Sequence, residues 1–242
     1  MANLFANLVD ETKDMEKTTD RVGGGEGFIK ESGIYNAVVK AAYLVKSQNT
    51  KAQGIGLILT LDDGTEYRET MWITNKEGHP YWLNQNNKKI PLPGFSNIDD
   101  LCELVTEKPL SAQESEEKEI KLYNFETQKE EPTLAPVLTD LLNKKVLVAI
   151  LKKRENKRVK SGDTYVDSSE EKFTNSIEKF FHPDYKCTFV EARDKLEFGA
   201  FLGKWEAKWK DQVKDDYKEV ANAPKTASAT GSQKVHSSLF DK

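Results

Sequence analysis

Three period-two segments in succession constrain this chain most: GIYNAVVKAAYLVK from Gly33, GIGLILTL from Gly54 and EYRETMWIT from Glu66, divided only by polar turns. Side chains alternating in this way lay one face of a strand on a core and leave the other to a different environment, a pattern no helix can present. In the first segment the alternation groups Tyr35, Ala37, Val39, Ala41 and Tyr43 on one side. In the second, Ile55, Leu57, Leu59 and Leu61 oppose Gly54, Gly56, Ile58 and Thr60; in the third, Tyr67, Glu69, Met71 and Ile73 oppose Arg68, Thr70, Trp72 and Thr74. The DDGT between the second and third is a tight hairpin signal, so the segments predict an antiparallel meander.

Residues 1–31 are polar and end in RVGGGEGF, whose glycines loosen the backbone into an arm. After the meander, NKEGHPYWLNQNNKKIPLPGF reads as irregular over most of its length. SNIDDLCELVTEKPL predicts a helix capped by Ser96 or Asn97, with Ile98, Leu101, Leu104 and Val105 at helical spacing. A strongly acidic insertion covers about 111–133, with a short strand at IKLYNF. NKKVLVAILKK returns to strand through Val146, Val148 and Ile150 and runs into a basic loop, and SSEEKFTNSIEKFFHP supplies the last strand. Residues 189–220 predict a C-terminal helix with Phe198, Phe201, Leu202, Trp205 and Trp209 on one stripe packed against the body, and 221–242 read as a disordered tail. A meander, a helix and two further strands follow the order of a five-stranded OB-fold barrel with its helix between strands three and four. The expected class is therefore mainly β with α additions, with the barrel domain spanning 32–188.

Composition narrows the function. With 37% hydrophobic and 31% charged residues the chain reads as a globular protein. No run approaches the roughly 18 apolar residues of a membrane span, and MANLFANLVDETKD lacks the order of a signal peptide, so a cytosolic protein without membrane contact is expected. Cys102 and Cys187 have no CxxC partner, and with three histidines no zinc spacing can be assembled; both cysteines read as buried thiols. GxxxxGK[ST], GxSxG and HExxH are absent, and GGGEG neither follows a strand nor opens a helix. The carboxylates of ESEEKE and KDDYKE read as solvated faces, and His79, beside Pro80, has no second base. The expectation is a non-enzymatic protein with no catalytic residue, metal or cofactor.

The positive signals are basic and aromatic. A net charge of −4 argues against a protein that coats nucleic acid with its whole surface, yet Lys144, Lys145, Lys152, Lys153, Arg154, Lys157, Arg158 and Lys160 occur together with Glu155 the only acid among them. That run is either a solvated hairpin tip or a phosphate contact, and Lys46, Lys51, Lys88 and Lys89 are candidates to join it. Trp72, in the polar company of Arg68 and Thr70, is expected to face outward, where base stacking on an aromatic ring is worth roughly 1–3 kcal/mol. Tyr81 and Trp82 either extend that platform or fold over the barrel mouth.

The meander segments, with KKIPLPGFSNIDDLCELVTEKPLS and TDLLNKKVLVAILKK, resemble the OB-fold single-stranded DNA-binding proteins encoded by tailed bacteriophages, over about residues 30–182. The resemblance implies a replication, recombination and repair protein in the cytoplasm of an infected bacterium, coating single-stranded DNA through a basic, aromatic-lined groove. It carries over to Trp72, to Tyr81 and Trp82, and to the basic residues after strand four. The sequence ends LFDK instead of in an acidic tail with an aromatic tip, which leaves the acidic insertion from Glu114 to Glu131 as the candidate for recruiting replication or recombination proteins. Two other readings stand beside it: an acidic OB-fold adaptor with weak DNA contact, and a nuclease with an unrecognised carboxylate metal site.

Overall fold

The computed structural model describes residues 29–124, 127–162 and 164–220; most of the N-terminal arm and the tail from 221 lie outside them. The meander is present. Strand β1 (Gly33–Lys46) pairs antiparallel with β2 (Gln53–Leu61), and β2 with β3 (Glu66–Trp72). The β2–β3 turn is closed by Gly64 at φ 79° and by Asp63, which accepts from the N–H and hydroxyl of Thr65. Ile55, Leu57, Leu59, Leu61 and Met71 fall in the core.

β1 departs from simple alternation. Its register shifts between Val39 and Ala41 because the Val39 N–H donates to Lys144 O and the Val39 carbonyl accepts from Asn143 N, both at 2.9 Å. The bulge carries Tyr35, Ala37 and Val39 to the core and then admits Ala42 and Leu44 in place of Ala41 and Tyr43, which turn outward. The single side expected for Tyr35 through Tyr43 is therefore corrected halfway along the strand.

Three further segments depart from the structure expected of them. The segment after β3 forms a small hairpin, β4 (Tyr81–Leu83) on β5 (Lys89–Pro91), turned by Asn87 at φ 55° and by Asn84, whose Oδ1 accepts from Asn86 N and Lys88 N. The acidic insertion is a full ribbon, β6 (Ser115–Asn124) on β7 (Lys129–Leu138), because Lys118, Ile120 and Leu122 alternate half-buried with exposed Glu117, Glu119 and Lys121. The expected C-terminal helix is interrupted at Lys195 and Gly199, both with positive φ, and ends early. It becomes α2 (Phe189–Arg193), α3 (Ala200–Trp209) and a short strand, β10 (Val213–Asp215). The predicted middle helix is α1 (Pro93–Thr106), which starts ahead of Ser96 because Pro93, with its fixed φ, occupies the first turn.

Strand β8 (Lys145–Ser161) forms a long hairpin with β9 (Thr164–Phe181). Its apolar run VLVAIL is continuous because both faces are buried. Val146, Val148 and Ile150 join the main core with Phe180, while Leu147, Ala149 and Leu151 join a second core with Phe181 and Trp205 of α3. Of the predicted α-helical stripe, Leu202, Trp205 and Trp209 pack there, whereas Phe198 and Phe201 stay exposed.

The resulting sheet has eight strands, in the order β10-β8-β1-β2-β3, with β9 on β8 and β7 linking the β6–β7 ribbon to β1 at Tyr43–Val137. It does not close by backbone pairing. Among the described residues a half-buried carboxylate ties β3 to β9: Glu69 Oε2 accepts the Ile177 N–H at 2.8 Å and, within β3, the Tyr67 hydroxyl at 2.7 Å. Helix α1 lies over this seam, joined to β9 by the Asp100–Lys179 ion pair and to β3 by Gly94, where an added Cβ would meet Trp72 O at 2.3 Å.

Glu69→Ala, which orphans the Ile177 N–H, is expected to cost about 1–3 kcal/mol in a denaturant melt. Burial raises the Glu69 carboxyl above its usual range, so the folded state takes up this proton more readily than the unfolded chain. Its contribution is therefore largest in acid and is lost as pH rises through the raised value. The stability of Glu69→Gln relative to the parent should accordingly be greatest at neutral pH and decline in melts at mildly acidic pH.

Candidate nucleic-acid interface

The outer face of the meander is ordered in cross-strand rows set by register. Ala41, Ile58 and Arg68 form one, Tyr43, Gly56 and Thr70 the next, and Val45, Gly54 and Trp72 the third. β2 thus offers no side chain in two consecutive rows. The Tyr43 ring lies across Gly56, where an added Cβ would sit 2.4 Å from its Cζ, and the Trp72 ring lies beside Gly54, at 3.3 Å by the same measure. Two glycines therefore let two aromatic rings line a shallow trough, with Trp72 46% exposed. Burial pushes the Tyr43 hydroxyl, protonated at neutral pH in any case, further above its usual range.

The trough opens toward a basic, aromatic end. The β1–β2 and β3–β4 loops are bound together, Lys51 N donating to Lys76 O at 3.1 Å and Gln53 N to Thr74 Oγ1 at 2.7 Å. Gln48, Asn49, Thr50, Lys51, Lys76 and Glu77 line an open cleft between them. On the β4–β5 hairpin, Tyr81 stacks on His79 with ring centroids 5.3 Å apart, Lys89 Nζ sits 4.5 Å from the Tyr81 ring, and Trp82 is 49% exposed. Among the described residues, Lys46, Lys51, Lys76, Lys88 and Lys89 take part in no ion pair.

The basic run of β8 has a different character and a different location, beyond β1 from the trough. Lys152 pairs with Glu31 at 2.6 Å, Lys153 with Glu178 at 3.1 Å, and Arg154 with Glu171 at 2.6 Å and Asp215 at 3.1 Å. Lys157 meets Glu170 at 3.0 Å and Arg158 meets Asp167 at 3.7 Å; Lys160 alone of the six has no ion pair among the described residues. Arg154 also lies over the Tyr217 ring. Such exposed pairs are each worth about 0–1 kcal/mol, yet a phosphate must compete with carboxylates already in place. Arg68 is held likewise, by Glu66 at 2.8 Å and Glu130 at 2.7 Å.

Of the residues singled out in the sequence, the fold gathers Trp72, Tyr81, Trp82, Lys51, Lys88 and Lys89 about the end of β3 and the loops that follow, with Lys46 at the end of β1. It does not bring Lys152 to Lys160 to them. Tyr43, Gly54, Gly56 and Lys76 were missed; the signal for the glycines was their alternation within a strand, which marks close approach of another group. No protein-family model and no curated protein sequence matches the chain.

Gly56→Ala should drive its methyl into the Tyr43 ring and cost about 1–3 kcal/mol of stability by overpacking. In thermal melts the Tyr43→Ala, Gly56→Ala double variant should lose less than the sum of the two single changes.

Proposed function

We propose that this is a non-enzymatic, sequence-independent single-stranded DNA-binding protein, acting to protect and organise single strands in phage DNA replication and recombination. The observation that carries the proposal is the coincidence of exposed flat rings, Trp72 and Trp82, with lysines that have no carboxylate partner, in a surface that otherwise pairs many of its cations with acids. Unpaired bases stack on any ring whatever their sequence, and phosphates displace counterions from lysines without reading bases. In this reading β1, β2, β3, β8 and β9 are the five strands of an OB-type barrel, with the Glu69–Ile177 hydrogen bond and α1 spanning the gap that the ladder leaves. The resemblance noted in the sequence supplies the preference for DNA and the phage setting.

A second reading, an acidic adaptor, is favoured by the ion-paired state of β8 and by the ribbon, where Leu134 is 70% exposed amid glutamates. A salt titration separates the two, since only phosphate binding weakens steadily as counterions are added. Fluorescent single-stranded oligonucleotides should bind and the matching duplex should bind far less; equal affinity for both would defeat the stacking model.

Trp72→Ala should cost roughly 1–3 kcal/mol of binding with a smaller loss of thermal stability, because the ring lies half-exposed on the outer face and outside the core. Lys51→Ala and Lys76→Ala should each flatten the dependence of log affinity on log salt by about 0.7, the share of one phosphate on a single strand. Lys157→Ala and Arg158→Ala, whose charges are already matched, should change that slope less in the same titration.

A further inference from the structure

The outer face of the meander does not end at the Tyr43 row. The row beyond it, Ala41, Ile58 and Arg68, faces the same way, yet Ala41 and Ile58 are each only 4% exposed and belong to neither of the two cores. The acidic ribbon is tied to this face on two of its strands. β7 runs from Val137, paired with Tyr43 on β1, to Glu130, which grips Arg68 on β3, and so passes from β1 to β3 with β2 and its Ile58 between the two contacts. Ala135, buried at 6% and likewise outside both cores, lies on this crossing.

We propose that the trough continues beneath the β6–β7 ribbon, and that Glu130 occupies on Arg68 the place that a phosphate of a bound single strand would take. The chemistry is an exchange of like for like. A carboxylate and a phosphodiester both present anionic oxygens to a guanidinium, and Arg68, 36% exposed in its side chain, is the cation of the face that the ribbon holds. Glu66, which also pairs with Lys40, holds Arg68 from within β3, so Glu130 is the carboxylate that the ribbon adds. The ribbon is thus an internal competitor: binding of a longer strand must lift Glu130 from Arg68 and uncover Ile58, whereas the end at Trp72 and the basic loops is open from the start.

This rests on the single-strand reading above, and its test keeps the two apart. Anisotropy of a labelled oligo-dT is measured over a salt series with the full chain, Glu130→Gln, Arg68→Ala and the double variant, each checked by thermal melt. Glu130→Gln is expected to bind about two- to fivefold tighter at low salt, the scale of one exposed ion pair, with a salt slope steeper by about 0.7. The gain should vanish in the double variant, which should match Arg68→Ala. Binding by Glu130→Gln where the parent binds nothing also supports the internal competitor. Parent binding that Glu130→Gln leaves unchanged in strength and slope overturns it and leaves the function standing. Absence of binding by every variant overturns both.

Discussion

Both backbone groups of Val39 are committed to the chain just before β8, its N–H to Lys144 and its carbonyl to Asn143. That commitment forces the extra residue into β1, and the extra residue decides what each half of the strand does. Before it, β1 pairs with β8 from Gly33 to Val38 and sends Ala37 and Val39 inward; after it, β1 leaves β8, meets β7 at Tyr43 and sends Tyr43 outward. Without the bulge Tyr43 would be a core residue and Gly56 would face nothing. The flat trough on the outer face is thus a consequence of where two long-range backbone hydrogen bonds fall.

Charge is arranged on the same scaffold. The chain carries 36 lysines and arginines against 40 aspartates and glutamates, so composition alone predicts near neutrality everywhere. The fold sorts the cations instead. Those of β8 stand across a ladder from the acids of β9, in a register where Arg154 faces Phe173 and reaches Glu171 diagonally. Those of the β1–β2 loop, the β3–β4 loop and the β4–β5 hairpin have no such neighbour strand. A cluster of basic residues in a sequence and a basic surface in the molecule are different things, and here they lie in different places.

Much of the local pattern was legible. The three meander strands, the outward Trp72 and the buried Met71 follow from alternation over short distances, and the continuous VLVAIL follows from burial on both faces. What was not legible depends on partners remote in the chain. The face of Tyr43 is set by residues 143 and 144, and the neutralisation of Arg154 by residues 171 and 215. The acidic insertion misled for another reason: its glutamates suggested a solvated face with only a short strand at IKLYNF, although Lys118, Ile120 and Leu122 already keep strand period and let a long ribbon half-bury one side. At the C-terminal end the helical spacing was real, but Lys195 and Gly199 turn into positive φ and divide it.

The ribbon has a consequence for time scales. From Ser115 to Leu134 no described residue is buried, and β7 gains buried side chains only at Ala135, Val137 and Leu138. A unit with so little apolar area at stake opens at a free energy well below that of the whole fold, so its amides should exchange with solvent through local openings that leave β1, β2 and β8 protected. The molecule then has two clocks: a slow one for the core strands, set by global unfolding, and a fast one for the ribbon, set by its own hydrogen bonds and exposed ion pairs such as Arg68–Glu130.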